Sequence, residues 1–247
     1  MGGKTVSYDT KPAQERFNRT EYAKLEQAFD FFNRKLFGGK LPDVFFTICR
    51  HRGANGYFRP EGFQQRQFDA NGDRLPPGFF VHEIALMPDA MYSRPDRDIL
   101  STLVHEMCHL RQQEQGKPSR NGYHNRQWAD YMKEAGLQPS TLGPFDSRNP
   151  YRREPVPEGE QPQEGAETGQ NVSHYIVKDG PFDAACAELL TSGFSFTLDS
   201  MPVIRLKAPK SKFKFTCPRC TAKAWAKAGT KIICGECNEA MEQEEEN

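Results

Sequence analysis

The apolar positions of this chain follow helical and strand-like periods for about 140 residues, and then the pattern breaks. Tyr22, Leu25, Ala28, Phe29, Phe32 and Leu36 recur at helical spacing and predict a helix over Arg19 to Phe37, stopped by Gly38 and Gly39. Beyond Pro42, the run from Val44 to Cys49 predicts a buried strand, and Asn55-Gly56 a turn into a second strand at Tyr57-Phe58. Residues 61–78 are polar and Gly-rich and read as a loop or hairpin tip. Phe79 to Leu86 reads as a strand that ends before Pro88. Leu100, Leu103, Val104, Met107 and Leu110 then mark one buried stripe of a helix over about 96–115, with Ser93 as a candidate cap and Asp96 in its first turn. After a loop from Gly116 to Gly122, the residues His124, Trp128, Tyr131 and Met132 share a face of a further helix over Tyr123 to Ala135, closed by Gly136. A helix, short strands and then two helices predict an α+β domain with a small mixed or antiparallel sheet.

The period is lost between Pro150 and Gln170, where Pro, Glu, Gln and Gly dominate and nothing can be buried. This divides the chain into an N-terminal arm of about 14 residues, a domain over 15–150, a flexible linker over 151–170, a small α/β segment over 171–208 and a cysteine-bearing module over 209–241. The 171–208 segment is predicted to hold a strand at His174 to Val177, a helix at Phe182 to Leu190 and a strand at Phe194 to Leu198. No stretch approaches eighteen apolar residues, and the first nine residues lack the apolar core of a signal peptide. A cytoplasmic protein is expected, and in that setting paired cysteines favour zinc over disulfides.

The chemistry concentrates in His105-Glu106-Met107-Cys108-His109. Residues four apart on a helix lie one above the other, so His105 and His109 can offer two imidazole nitrogens to one metal ion. Glu106 lies one step round, as a general base requires. A hydrolytic zinc site needs a third protein ligand. The metzincin extension would need Gly at position 112 and His at position 115, and Gln112 and Gln115 exclude it. His124 opens the next predicted helix and is the leading candidate, with the carboxylates of Asp130 and Glu134 as alternatives. His51, His82 and His174 are expected to be structural or surface residues, and Cys108 to pack in the core.

A second metal set lies near the C-terminus. Cys217-Pro-Arg-Cys220 is followed after thirteen residues by Cys234-Gly-Glu-Cys237. Four thiolates in two such pairs match a closed structural zinc ribbon, whose metal supplies folding energy to a short segment. The chain has equal numbers of basic and acidic residues, 33 of each, yet Arg205 to Lys231 holds nine basic residues and no acid. Glu236 to Glu246 holds six acids and no base. Phe213, Phe215 and Trp225 interleave with Lys212, Lys214, Lys223, Lys227 and Lys231. Aromatic rings that stack on bases, beside lysines that neutralise phosphates, make a non-specific single-strand binding surface.

Taken together, Asn55-Gly56-Tyr57-Phe58, His82-Glu83-Ile84-Ala85-Leu86, His105-Glu106-x-x-His109, His124-x-x-x-Trp128 and the terminal cysteine pairs resemble the SprT-like, or Spartan-type, zinc metalloproteases. The resemblance covers roughly residues 20–140 and 212–240. It implies a zincin-like core with His105, His109 and His124 on zinc and Glu106 as the catalytic glutamate, and it implies an association with DNA and with proteins crosslinked to it. Two other readings compete: a non-catalytic DNA-binding or transcription-associated protein, and a zinc peptidase with a soluble protein substrate.

Overall fold

A computed structural model of the chain describes residues 17–50, 54–91, 94–120, 122–143, 165–197 and 212–243. The expected N-terminal arm, His51, Ser93, most of the expected linker and residues 198–211 lie outside these. The chain divides into two compact units, Met1–Pro202 and Val203–Asn247, and its architecture is mixed α+β with small sheets. Among the described residues no helix is long and apolar enough to cross a membrane.

The first unit opens with helix α1 (Phe17–Leu36), which buries Leu25, Ala28, Phe29 and Phe32 along one face. Gly38 and Gly39 end it with positive φ of 64° and 69°. The Asn33 side chain holds the exit by accepting from the Leu41 N–H at 3.1 Å and donating to the Leu41 carbonyl at 3.0 Å. A three-stranded sheet follows, built from β1 (Val44–Ile48), β2 (Gly56–Gln64) and, after the short hairpin of β3 (Gln67–Phe68) and β4 (Arg74–Leu75), β5 (Phe80–Leu86). Its order is β1-β5-β2, with β1 parallel and β2 antiparallel to β5. The loop expected over 61–78 is thus partly strand, because β2 resumes its pairing with β5 at Phe63 beyond an irregularity after Arg59.

A single turn, α2 (Pro88–Met91), leads to α3 (Asp96–Gln115), whose bounds match the predicted ones. Helix α3 is the spine of the unit. Leu100, Leu103, Val104, Met107, Cys108 and Leu110 are all 0% exposed, packed between the sheet and the neighbouring helices. Helix α4 begins later than expected, at Arg126, and runs to Glu134. Asn125 caps it, its side-chain oxygen accepting from the Trp128 N–H at 3.0 Å.

Residues 137–140 and 165–197 add to this core. Strand β6 (Leu137–Ser140), which contains Pro139 and was not predicted, pairs antiparallel with β7 (Ser173–Ile176). Helix α5 (Pro181–Thr191) buries Phe182, Cys186 and Leu189, and the Phe182 ring stacks on Phe32 of α1 at 5.5 Å. Arg97 of α3 donates twice to the Asp183 carboxylate, at 2.7 and 3.0 Å. The strand expected from Phe194 does not form in the described part: Phe194 and Phe196 join the core, and the Phe196 N–H donates to the Asp96 carboxylate at 3.2 Å. Even Gly165 to Gln170, expected to belong to the linker, is bound in place. Glu167 forms ion pairs with Arg126 at 2.8 Å and Lys133 at 3.0 Å. Residues 165–197 therefore extend the same core.

The second unit is a three-stranded antiparallel sheet of β8 (Phe213–Thr216), β9 (Lys223–Ala226) and β10 (Glu242–Gln243), in the order β10-β8-β9.

Burial of Phe182 against Phe32 gives the first test. Phe182→Ala is expected to lower stability by about 3–5 kcal/mol in urea unfolding. A loss below about 1 kcal/mol would show that α5 does not share the core of α1 and α3.

Candidate active site

Helical spacing places His105 and His109 one turn apart on α3, with ring centroids 5.2 Å apart. His124 reaches them from just before α4, where it forms an isolated antiparallel bridge with Gly169 rather than a helical turn. Its ring lies 5.3 Å from His105 and 4.9 Å from His109. One ligand nitrogen from each of the three falls within 4.8 Å of the others. The alternative ligands are engaged elsewhere: Glu134 pairs with Arg111 at 2.6 Å, and Asp130 with Arg126 at 3.2 Å.

The local sequence explains why His124 stands where it does. Gln112, buried on α3, donates to the Asn125 side-chain oxygen at 2.7 Å, and Asn125 donates in turn to the Lys117 carbonyl at 3.1 Å. The residue that excludes the metzincin pattern thus ties the start of α4 to α3. Trp128, wholly buried, packs its indole against all three imidazoles at 4.2–5.2 Å.

Burial holds His105 and His109 well below the usual histidine range and brings His124 down to about 4. All three are therefore neutral near pH 7, the state in which imidazole ligates a metal. The Nε2 atoms of His105 and His124 face each other at 3.4 Å. Two imidazole nitrogens about 2.1 Å from one tetrahedral ion stand about 3.4 Å apart. Bare nitrogens turned towards one another repel unless a cation or a proton lies between them. The donor set therefore fits a zinc-like ion.

Glu106 is 4% exposed, and burial pushes its carboxyl up to about 8 against a hydrogen bond from the Phe58 backbone. Gly56, on β2, leaves it room. A Cβ there would stand 2.8 Å from the Ala85 carbonyl oxygen and 3.0 Å from Glu106 Oε1. The histidines and Glu106 open onto a cleft of about 530 Å³ whose walls include Gly56, Phe58, Tyr123 and Thr141. Tyr123, adjacent to His124 in sequence, lines this cleft and is 42% exposed.

Of the two places expected for His174, structural or surface, it takes the buried one: it is 3% exposed and its Nδ1 lies 3.3 Å from Nδ1 of His105, a neighbour the sequence did not point to. No local signal marks it, because it lies 65 residues after His109 in a short strand without motif spacing. His82, by contrast, is structural, accepting from the Glu61 N–H at 3.0 Å and meeting Glu114 at 3.1 Å. Cys108 is buried in the core.

In the second unit the sulfurs of Cys217, Cys220, Cys234 and Cys237 lie within 4.8 Å of one another. The two pairs are built alike. The N–H four residues after each leading cysteine, Thr221 and Asn238, donates back to that cysteine's carbonyl at 2.9 and 2.8 Å. Both of these residues have positive φ, 59° and 56°. The Cys220 backbone N–H leads in drawing the Cys217 thiol down to about 7, which favours the thiolate.

The basic and aromatic residues around this cluster separate by face. Lys214 pairs with Trp225, and Thr216 with Lys223, on one side of the sheet. Trp225 is 61% exposed, whereas Phe215 is buried on the opposite side and Phe213 is half-buried. Only Trp225 of the three aromatics is therefore free to stack on a ligand. Lys212, Lys227 and Lys231 are exposed.

A sequence profile of the SprT-like family matches residues 25–145, which run from within α1 to beyond β6 and contain His105, His109, His124 and Glu106. An uncharacterized protein from the mucB 3′ region of Salmonella typhimurium is 35% identical over 54 residues, a stretch that is 22% of this chain and 73% of that protein. The chain belongs to the SprT-like family. The family is of metallopeptidase type. No solved structure gives a significant match.

Metal analysis of the purified full chain is expected to return two equivalents of zinc. His124→Ala and Cys237→Ser are each expected to return one. Two equivalents retained by His124→Ala would remove that residue from the metal set.

Proposed function

We propose that this SprT-like protein is a zinc-dependent endopeptidase with a zincin-type catalytic core, and that it acts on proteins associated with DNA. The observation that carries the reading is the juxtaposition of three neutral, converging imidazoles with a buried carboxylate on the next residue of the same helix. A purely structural metal has no use for Glu106. His105, His109 and His124 would hold the ion, which when bound polarises the scissile carbonyl and acidifies water.

The chain's own groups supply the rest. Glu106 accepts a proton from the attacking water and delivers it to the leaving amine, and a carboxyl raised by burial suits such exchange near neutral pH. The Phe58 N–H and the bare Gly56 fix where that carboxylate points. Trp128 and the core residues of α3 keep the imidazoles rigid, and the 530 Å³ cleft is large enough to take a peptide segment.

The DNA part of the proposal rests on the second unit. Its four cysteines would hold a structural zinc, and Trp225 with Lys214 and Lys223 offers a stacking ring between two cations on one face. Lys212, Lys227 and Lys231 add to the positive field. A ribbon bound to single-stranded DNA would raise the local concentration of the protease near proteins on the same strand.

Three outcomes follow. Glu106→Gln is expected to abolish cleavage of a protein substrate while both zinc equivalents remain; residual cleavage near the wild-type rate would remove Glu106 from the chemistry. Gly56→Ala, which pushes on the same carboxylate, is expected to slow cleavage on the order of 100-fold with zinc retained. Single-stranded DNA is expected to stimulate cleavage of a DNA-bound protein, with affinity falling steeply between 50 and 200 mM salt, values typical of phosphate-dominated binding. Cleavage indifferent to DNA, with no binding by the Lys214 and Trp225 face, would favour a peptidase with a soluble substrate.

A further inference from the structure

Two of the three converging imidazoles are held from behind by residues 165–176, a segment that lies beyond the stretch matching the family profile. His124 and Gly169 exchange backbone hydrogen bonds of 2.8 and 3.0 Å, and Nδ1 of His124 lies 3.2 Å from the Gly169 carbonyl oxygen. On the other side, Nδ1 of His105 lies 3.3 Å from Nδ1 of His174, and Nε2 of His174 lies 2.9 Å from the Ser101 hydroxyl. That hydroxyl is 2.8 Å from the Asp98 carbonyl oxygen.

The proton positions along this chain follow from its ends. A carbonyl oxygen only accepts, so the Ser101 hydroxyl donates to Asp98 and uses a lone pair for the Nε2–H of His174. His174 is 3% exposed, which disfavours a second ring proton, so with its one proton on Nε2 its Nδ1 is an acceptor. The proton between the two Nδ1 atoms therefore belongs to His105. With Nδ1 protonated, neutral His105 presents a bare Nε2, and this is the atom that faces Nε2 of His124. The Gly169 carbonyl sets His124 in the same tautomer. Two backbone carbonyls, one reached directly and one through a side-chain relay, thus dictate which nitrogens point at the metal position.

We propose that His174 is a positioning residue of the active site: through the Ser101–Asp98 relay it fixes the tautomer and ring orientation in which His105 ligates the metal. His174 is not itself a fourth ligand in this arrangement, because its Nδ1 meets the far side of His105 and its Nε2 is bound to Ser101. The inference rests on the reading of His105, His109 and His124 as a metal site. Outer partners of this kind commonly contribute 10–100-fold to metal affinity.

The test is a cobalt titration of the full-length chain against a chelator, in wild type, His174→Leu, His174→Asn and Ser101→Ala. The thiolate charge-transfer band of the four-cysteine site serves as an internal reference. Wild type is expected to take up two cobalt ions. His174→Leu is expected to weaken the three-histidine site about 10–100-fold while leaving the thiolate band unchanged. His174→Asn places an acceptor oxygen where Nδ1 stood and is expected to recover most of that affinity; Ser101→Ala is expected to lose several-fold. If His174→Leu does not fold, the Asn and Ala variants carry the comparison, and wild-type affinity in Ser101→Ala would overturn the relay. Affinity within twofold of wild type in His174→Leu would also overturn it. So would equal losses in the Leu and Asn variants at wild-type unfolding temperatures. A wild-type protein that takes up only the thiolate-bound ion would overturn the metal-site reading itself, a result distinct from failure of the relay.

Discussion

Three neutral imidazoles converging on one point inside a protein are costly to hold together, and the first unit is built to sustain that arrangement. Each ring is neutral because burial expels charge, and His105 and His124 have their second nitrogens committed to partners behind them. Trp128 packs against all three rings, so none can turn without disturbing a buried contact. What remains is one ring nitrogen from each histidine within 4.8 Å of the others, a set that a cation would satisfy. The carboxylate of Glu106 beside them becomes intelligible on the same terms: a positive ion nearby offsets the cost of burying its charge.

Rigidity of the site comes from the double duty of α3. The same two turns that carry His105, Glu106 and His109 bury Val104, Met107, Cys108 and Leu110 completely. A ligand there cannot shift without moving the core. The third histidine, from a separate element, is registered to α3 by Gln112 and Asn125. Residues 165–197 then close the arrangement, placing Phe182 under α1, Asp183 on Arg97 and His174 behind His105. Stability and site geometry are therefore one problem in this unit.

How much of this could be read from the chain depended on the range of the interactions. Helix α3 was legible to its ends because its apolar stripe is long and unbroken. The four-cysteine cluster was legible because its ligands lie within two short turns. His124 was legible as a ligand candidate but not in its conformation: the periodicity carried the helix back to Tyr123, whereas the Asn125 cap and the bridge to Gly169 end it at Arg126. Strand β6 was hidden by Pro139 and its short length, and β7 was legible without its partner. The place of His174 beside His105 was not legible, since it exists only through pairing of β7 with a strand more than thirty residues earlier. In the ribbon, the interleaving of aromatics and lysines was visible in sequence. Only strand pairing showed that Phe215 faces inward and Trp225 outward.

The most direct measurement is a crystal structure of the zinc-loaded protein with anomalous diffraction collected at the zinc edge. The account predicts one peak bonded to His105, His109 and His124, with an open coordination position facing Glu106 and His174 outside the ligand sphere. A peak coordinated by four protein side chains, or no peak among these three histidines, would contradict it.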